Sequence, residues 1–220
     1  MIDKSKVYKY LGFNENQNEI TKELSLTVDS LIQEISPLIH EKYIFSTVLP
    51  VNIEKTTFLG SLELSGNDIK KHLEGATSAV LFGATLGLEL DRIIRKYEQI
   101  NMTKVVIIDA IANVLIEDVA DRAENEYREN LKKENLYLTC RYSPGYGDLP
   151  LSTQNELINL LDAPRKIGLT VTKSGIMIPR KSITAILGIS NIPVSGHLAT
   201  CSNCVLKGKC EFRKRGKTCY

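Results

Sequence analysis

The sequence predicts an α+β fold in which a mixed or mainly antiparallel sheet is flanked by helices. Two observations carry that expectation. Lys166 to Thr172, Ile176 to Pro179 and Ile183 to Ile189 are β-prone and follow one another closely enough to form a meander. Around them run long stretches with apolar residues at helical spacing, so helices flank a sheet and the arrangement is not doubly wound.

In chain order the first element is a short helix, capped by Asp3, with Val7, Tyr8 and Leu11 on its apolar side and Gly12 ending it. A longer helix starts near Glu19 and spaces Ile20, Leu24, Val28, Leu31, Ile32 and Ile35 along one face until Pro37 stops it. Tyr43 to Leu49 and Thr57 to Leu64 read as strands, the second alternating through Phe58, Leu62 and Leu64. A short helix near Asp68 to Leu73 precedes Ser78 to Thr85, an apolar run with the length of a buried strand. The turn Gly83 to Gly87 opens a helix from Leu88 to about Ile100. Glycines there can cradle phosphate at a helix amino terminus, but neither the G-x-G-x-x-G nor the Walker spacing is present, so close packing is expected.

The longest helix spans about Met102 to Lys132, apolar and small in its first half and charged in its second. Between the halves lie Glu117, Asp118 and Asp121, with Glu117 and Asp121 four apart on one face. They read either as a solvated acidic face or as a carboxylate aimed at a cationic ligand. Thr153 to Glu156 is a capping box for a helix ending near Asp162 to Pro164, and Leu157, Leu160 and Leu161 would pack it on the sheet.

With 220 residues, 43% of them hydrophobic, the chain can bury a substantial core as one large domain or one domain plus an appendage. The absence of Trp and only 6% aromatic residues argue against a stacking surface for single-stranded nucleic acid. The amino terminus does not read as a signal peptide and no apolar run approaches the ~20 residues that span a bilayer, so a cytoplasmic protein is expected, without membrane association. In that compartment clustered cysteines point to metal and not to disulfides.

The chemistry concentrates in Arg141-Tyr142-Ser143-Pro144-Gly145-Tyr146-Gly147-Asp148-Leu149-Pro150. A β-prone lead-in from Leu136 delivers Arg141 to a compact turn. Gly145 and Gly147 open backbone angles closed to other residues, and the guanidinium offers a planar fork for a carboxylate or phosphate. An ordinary surface turn with a solvated arginine would look the same in isolation.

More than the turn matches a known pattern. Arg141-x-x-Pro144-Gly145-Tyr146, then Pro150, the helix opening at Thr153, Lys166 to Thr170 and Ser174 to Pro179 resemble the activation domain of cobalamin-dependent methionine synthase over roughly fifty residues, Arg141 to Ser190. The resemblance implies that fold and a turn that binds S-adenosylmethionine, the methyl donor to a cobalamin reduced by an outside electron. It implies that Arg141 holds the methionine carboxylate, that the main chain around Ser143, Gly145 and Tyr146 lines the adenosyl pocket, and that an acidic residue of the long helix, Glu117 first and Asp121 second, faces the cationic end. Two positions depart from the family: Ser152 stands where it has a histidine, and Leu187 where it has a ligand tyrosine, so Leu187 can stack but supplies no hydroxyl.

The last stretch is Cys201-x2-Cys204-x5-Cys210-x8-Cys219. Residues 201 to 220 hold six basic side chains against Glu211, a net +5 in a chain of net +2, which makes the tail a separate electrostatic object. Four thiolates suit zinc or a [4Fe–4S] cluster, with His197 a lesser candidate ligand; the implied redox role tilts toward iron–sulfur. The expected organisation is an activation-like domain over 1–196 and a basic four-cysteine knuckle over 197–220. No Asp-x-His-x-x-Gly run is present, so cobalamin is expected to arrive with a partner: a methionine synthase lacking its own activation domain, served by an electron donor such as flavodoxin or ferredoxin. The alternatives are a reactivator of another corrinoid methyltransferase, or a metal-knuckle module binding nucleic acid or protein through its basic tail.

Overall fold

The computed structural model describes residues 2–13, 20–54 and 56–193. Helix α1, Lys4–Tyr10, is capped by Asp3, whose carboxylate accepts the Ser5 N–H at 2.9 Å. Helix α2, Lys22–Ile35, is capped by the Thr21 hydroxyl and buries Val28, Leu31 and Ile35; Pro37 lies in the 3-10 turn that ends it. Strands β1 (Lys42–Phe45), β2 (Leu49–Ile53), β3 (Thr57–Leu59) and β4 (Leu62–Leu64) follow. The single strand expected over Thr57 to Leu64 is therefore a hairpin, with Leu59 opposite Leu62 and Gly60 at φ 61° in the turn. The turn resets the alternation, so Thr57, Leu59, Leu62 and Leu64 are buried while Phe58 is 38% exposed.

Helix α3, Asn67–His72, leads to β5, Ser78–Thr85, which is buried at every position after Ser78. A strand covered on both faces has no reason to alternate, and its continuous apolar run reflects that. Helices α4 (Leu88–Glu98) and α5 (Met102–Lys132) are where the sequence places them. Next come β6 (Tyr137–Leu138), α6 (Thr153–Leu161), α7 (Ala163–Ile167), β7 (Thr170–Val171), β8 (Met177–Ile178) and β9 (Ser182–Ser190).

Three expectations need correction here. Thr153 is the first helical residue of α6, and the turn Pro150 to Ser152 accepts the N–H groups of Thr153, Gln154 and Asn155, so the start is a 3-10 turn and not a capping box. Leu157 and Leu161 are buried with Ile158, whereas Leu160 is 43% exposed. Lys166 and Ile167 are helical: Pro164 stands in the first turn of α7, where its missing N–H costs nothing, and Gly168 at φ 72° ends the helix. The meander is consequently absent. Strands β7 and β8 pair with each other as a separate ribbon, and β9 belongs to the main sheet.

The main sheet runs β4-β3-β2-β5-β9-β6, with β1 also on β5, and its described ladders β2–β3, β2–β5, β3–β4 and β6–β9 are antiparallel. The α+β class, an antiparallel sheet with helices, is what the sequence leads one to expect. Among the described residues no helix is long and apolar enough to cross a membrane.

The chain divides into two compact units. The first takes in the described residues through Ile44, Gly83–Asn125 and Asp162–Ile183. Within it, the buried Asp91 accepts the Arg180 N–H at 2.9 Å, and Lys181 pairs with Asp109 at 2.6 Å and donates to Asn113 at 2.8 Å, which fastens the start of β9 to α4 and α5. The second unit takes in the described residues of Phe45–Phe82, Glu126–Leu161 and 184–193. Its core includes Leu81 and Phe82 of β5 with Ala185, Ile186 and Leu187 of β9, all essentially inaccessible; each such large side chain contributes roughly 1.5–3 kcal/mol by burial.

Candidate ligand-binding turn

The signature turn lies wholly in the second unit, and its approach is fixed before Arg141 is reached. The Arg128 guanidinium of α5 donates to the carbonyls of Leu138 and Thr139, holding the end of β6. Leu138 pairs with Ile189, and the Thr139 N–H donates to Gly188 O at 2.9 Å. Pairing resumes at Tyr142, which exchanges main-chain bonds of 3.0 and 2.8 Å with Ile186. Four residue steps on one side thus oppose three on the other. The extra residue is accommodated at Cys140 and Arg141, a β-bulge that re-aims a side chain where an unbroken ladder would only alternate. Arg141 is half-buried in this bulge.

Beyond Tyr142 the chain closes on itself. Tyr146 N–H donates to Ser143 O at 3.0 Å, Leu149 N–H to Tyr146 O at 3.0 Å, and Gly145 N–H to Leu149 O at 2.9 Å. Gly145 and Gly147 stand at φ 85° and 53°. Gly147 is doubly restricted, because a Cβ there would collide with the Tyr142 hydroxyl and lie 2.6 Å from Asp68 Oδ2. Pro144 and Leu149 face inward, whereas Gly145 is exposed and Tyr146 is 65% exposed. The Ser143 C=O, the Gly145 N–H and both peptide groups of Tyr146 are engaged within the turn, so what it offers a ligand is the exposed surface of Gly145 and Tyr146 over an apolar underside.

Under the turn lies a set of side chains that sequence reasoning passed over. Tyr142 packs against His72 of α3 with tilted rings 5.0 Å apart and meets Tyr146 edge-on at 6.1 Å. The Tyr142 hydroxyl donates to Tyr146 O at 3.2 Å, and burial, followed by the nearby Asp68 and Asp148 carboxylates, pushes its pKa up to about 12. His72 is 6% exposed, with Nε2 3.0 Å from the Thr139 hydroxyl oxygen, and burial pushes its pKa down to about 4. That oxygen also accepts the Gly188 N–H at 2.8 Å. The spacing of the three histidines gave no hint of this, because the contact joins residues 67 apart.

The remaining candidates are placed as follows. Leu187 sits in β9 with no accessible surface, so a ligand touches it only if its neighbours move. Ser152 is exposed in the turn before α6, whose Gln154 donates to Thr184 of β9 at 2.6 Å. Glu117, Asp118 and Asp121 lie on α5 in the first unit, and their described surroundings include α1: Lys6 pairs with Asp118 at 3.2 Å, and burial together with the Glu117 charge raises the Tyr10 pKa. A groove of about 830 Å³ in that unit is lined by Ile32, Ile39 and Leu115 together with Glu41, Asp118, Asp121 and Arg122. Among the described residues no His, Cys, Asp and Glu group is arranged to hold a metal. Cys201, Cys204, Cys210 and Cys219 lie outside the described residues, as does the knuckle expected over 197–220.

A bulged strand delivering arginine to a main-chain-held glycine turn, on an antiparallel sheet with helices, makes this an α+β domain with one candidate ligand turn. Residues 64–192, more than half of the chain and including the whole turn, match the family model described as vitamin B12 dependent methionine synthase, activation domain. The chain belongs to that family. The fold is similar to the crystal structure of the MetH reactivation domain bound to AdoHcy, with a TM-score of 0.66 and 16% identity over 99% of this chain and 82% of that one. No curated protein matches the sequence.

Proposed function

We propose that this chain binds S-adenosylmethionine at the Arg141 turn and supports reductive methylation of cob(II)alamin held by a separate cobalamin-dependent methionine synthase that lacks its own activation domain. The observation that carries the reading is the bulge at Cys140 and Arg141 joined to an open glycine turn, within a chain of the activation-domain family. The similar solved domain was crystallised with AdoHcy, the demethylated form of that ligand, which supports the assignment.

In this reading Arg141 forks onto the methionine carboxylate, and the main chain around Ser143, Gly145 and Tyr146 lines the adenosyl pocket. Glu117, then Asp121, are the proposed acidic complement to the cationic end, and Leu187 an apolar neighbour. The partner's cobalamin accepts one electron and then the methyl group, while the S–CH3 bond breaks and sulfur keeps the electron pair. What this chain supplies is orientation of the donor. Four thiolates at Cys201, Cys204, Cys210 and Cys219 give a complete ligand set for a [4Fe–4S] cluster or zinc, the former suiting a step that consumes an electron from a flavodoxin- or ferredoxin-type donor. A cytoplasmic site of action follows from the same reading.

The test is transfer of labelled methyl from S-adenosylmethionine to a corrinoid protein under reducing conditions, with methionine synthase and a second corrinoid methyltransferase as acceptors. Label reaching methionine synthase, and lost in Arg141→Ala, supports the assignment. Label reaching only the second acceptor reassigns the partner, and no label on either overturns the function.

A further inference from the structure

We propose that Asp148 is a positioning residue for the signature turn, clamping it to the start of α3, and that the ligand's affinity depends on this clamp without contact between Asp148 and the ligand. The inference rests on the reading that the turn binds S-adenosylmethionine. Both Asp148 oxygens are engaged: Oδ2 accepts the Asn67 N–H at 2.6 Å and Oδ1 the Asp68 N–H at 3.0 Å. These are the first two N–H groups of α3, which no helical carbonyl can reach, and the carboxylate comes from 80 residues further along the chain.

The surrounding residues are fitted to that bond pair. Gly66, which precedes α3, makes no side-chain cap of its own, and a Cβ on it would lie 2.5 Å from Asp148 Oδ1. Any other residue at 66 would drive the carboxylate away. On the turn side, Gly147 must stay at positive φ with no Cβ, because the Tyr142 hydroxyl and Asp68 occupy that space. Leu149, next to Asp148, closes the turn in both directions, through its N–H to Tyr146 and its C=O from Gly145. Displacement of Asp148 therefore reaches both peptide groups that bracket the adenosyl side of the turn. Helix α3 in turn is seated by buried Ile69 and His72, so the clamp connects the turn to a core-anchored element.

A residue acting through the turn is distinguished from one facing the ligand by the ligand's charge. S-adenosylmethionine carries a sulfonium and AdoHcy a neutral sulfur, so loss of a direct carboxylate partner would weaken the first selectively. The experiment titrates both ligands into wild type, Asp148→Asn and Asp148→Ala and follows amide exchange in the same proteins. We expect Asp148→Ala to lose about 10-fold in affinity for both ligands alike, the scale of a removed helix cap, and Asp148→Asn, which keeps one acceptor, to lose less. Exchange should quicken in both 67–72 and 143–149. Unchanged affinity in Asp148→Ala, or a loss confined to S-adenosylmethionine, overturns the proposal. Should the Ala variant fail to fold, the Asn variant decides by the same two-ligand comparison. If wild type binds neither ligand, the ligand reading fails on its own, and the clamp is then judged by exchange: quickening in 67–72 alone overturns it.

Discussion

Two charged features stand out in the sequence, Arg141 in its glycine turn and the Glu117-Asp118-Asp121 run of α5, and the fold treats them oppositely. The turn is built from main-chain bonds, a register shift against β9 and side chains from α3 and α5. The acidic run sits on a regular helix beside α1, where Lys6 answers Asp118 at the surface. The turn is held by many independent constraints, whereas the acidic run is carried by one regular helix with Glu117 and Asp118 half-buried on it.

The largest effect should come from the tightest point of the turn. Gly147→Ala places a Cβ against the Tyr142 hydroxyl and Asp68 at φ 53°, and we expect it to destabilise the protein by about 2–4 kcal/mol in urea unfolding. A loss below ~0.5 kcal/mol would mean the turn is looser than its bonds imply. Acid provides the next test. His72 titrates at about 4 in the folded protein against an ordinary 6.5, so the unfolded chain binds the proton first as pH falls. Stability should be unaffected above ~6.5 and decline from there to ~4, by up to about 3 kcal/mol, and His72→Gln should remove most of that slope. A slope that survives the substitution places the acid sensitivity elsewhere.

Much of this could be read before folding. Strand β5 and helix α5 were legible because each has a single uninterrupted pattern. The β3–β4 hairpin was not, since Gly60 falls inside a run whose residues alternate, and α7 was not, because Pro164 reads as a stop although it serves equally as a start. Within the site, Arg141 and the glycines announce themselves by type. The bulge is a relation between β6 and β9, and the His72, Tyr142 and Asp148 contacts join distant segments, so none leaves a local signal.

The smallest effect should fall on the other side of the comparison. Asp118→Asn breaks an exposed pair with Lys6 and should change stability by less than ~0.5 kcal/mol and S-adenosylmethionine affinity not at all. Glu117→Gln sharpens the contrast: lowered affinity would assign that carboxylate to the ligand, and unchanged affinity leaves it to the helix surface.

The most direct measurement is calorimetric titration of the full chain with S-adenosylmethionine, wild type beside Arg141→Ala. The account predicts saturable binding that weakens by about 1.5–3 kcal/mol, roughly 10- to 150-fold, on loss of the charge-assisted fork. Equal affinities in the two proteins, or no binding by the folded wild type, would contradict it.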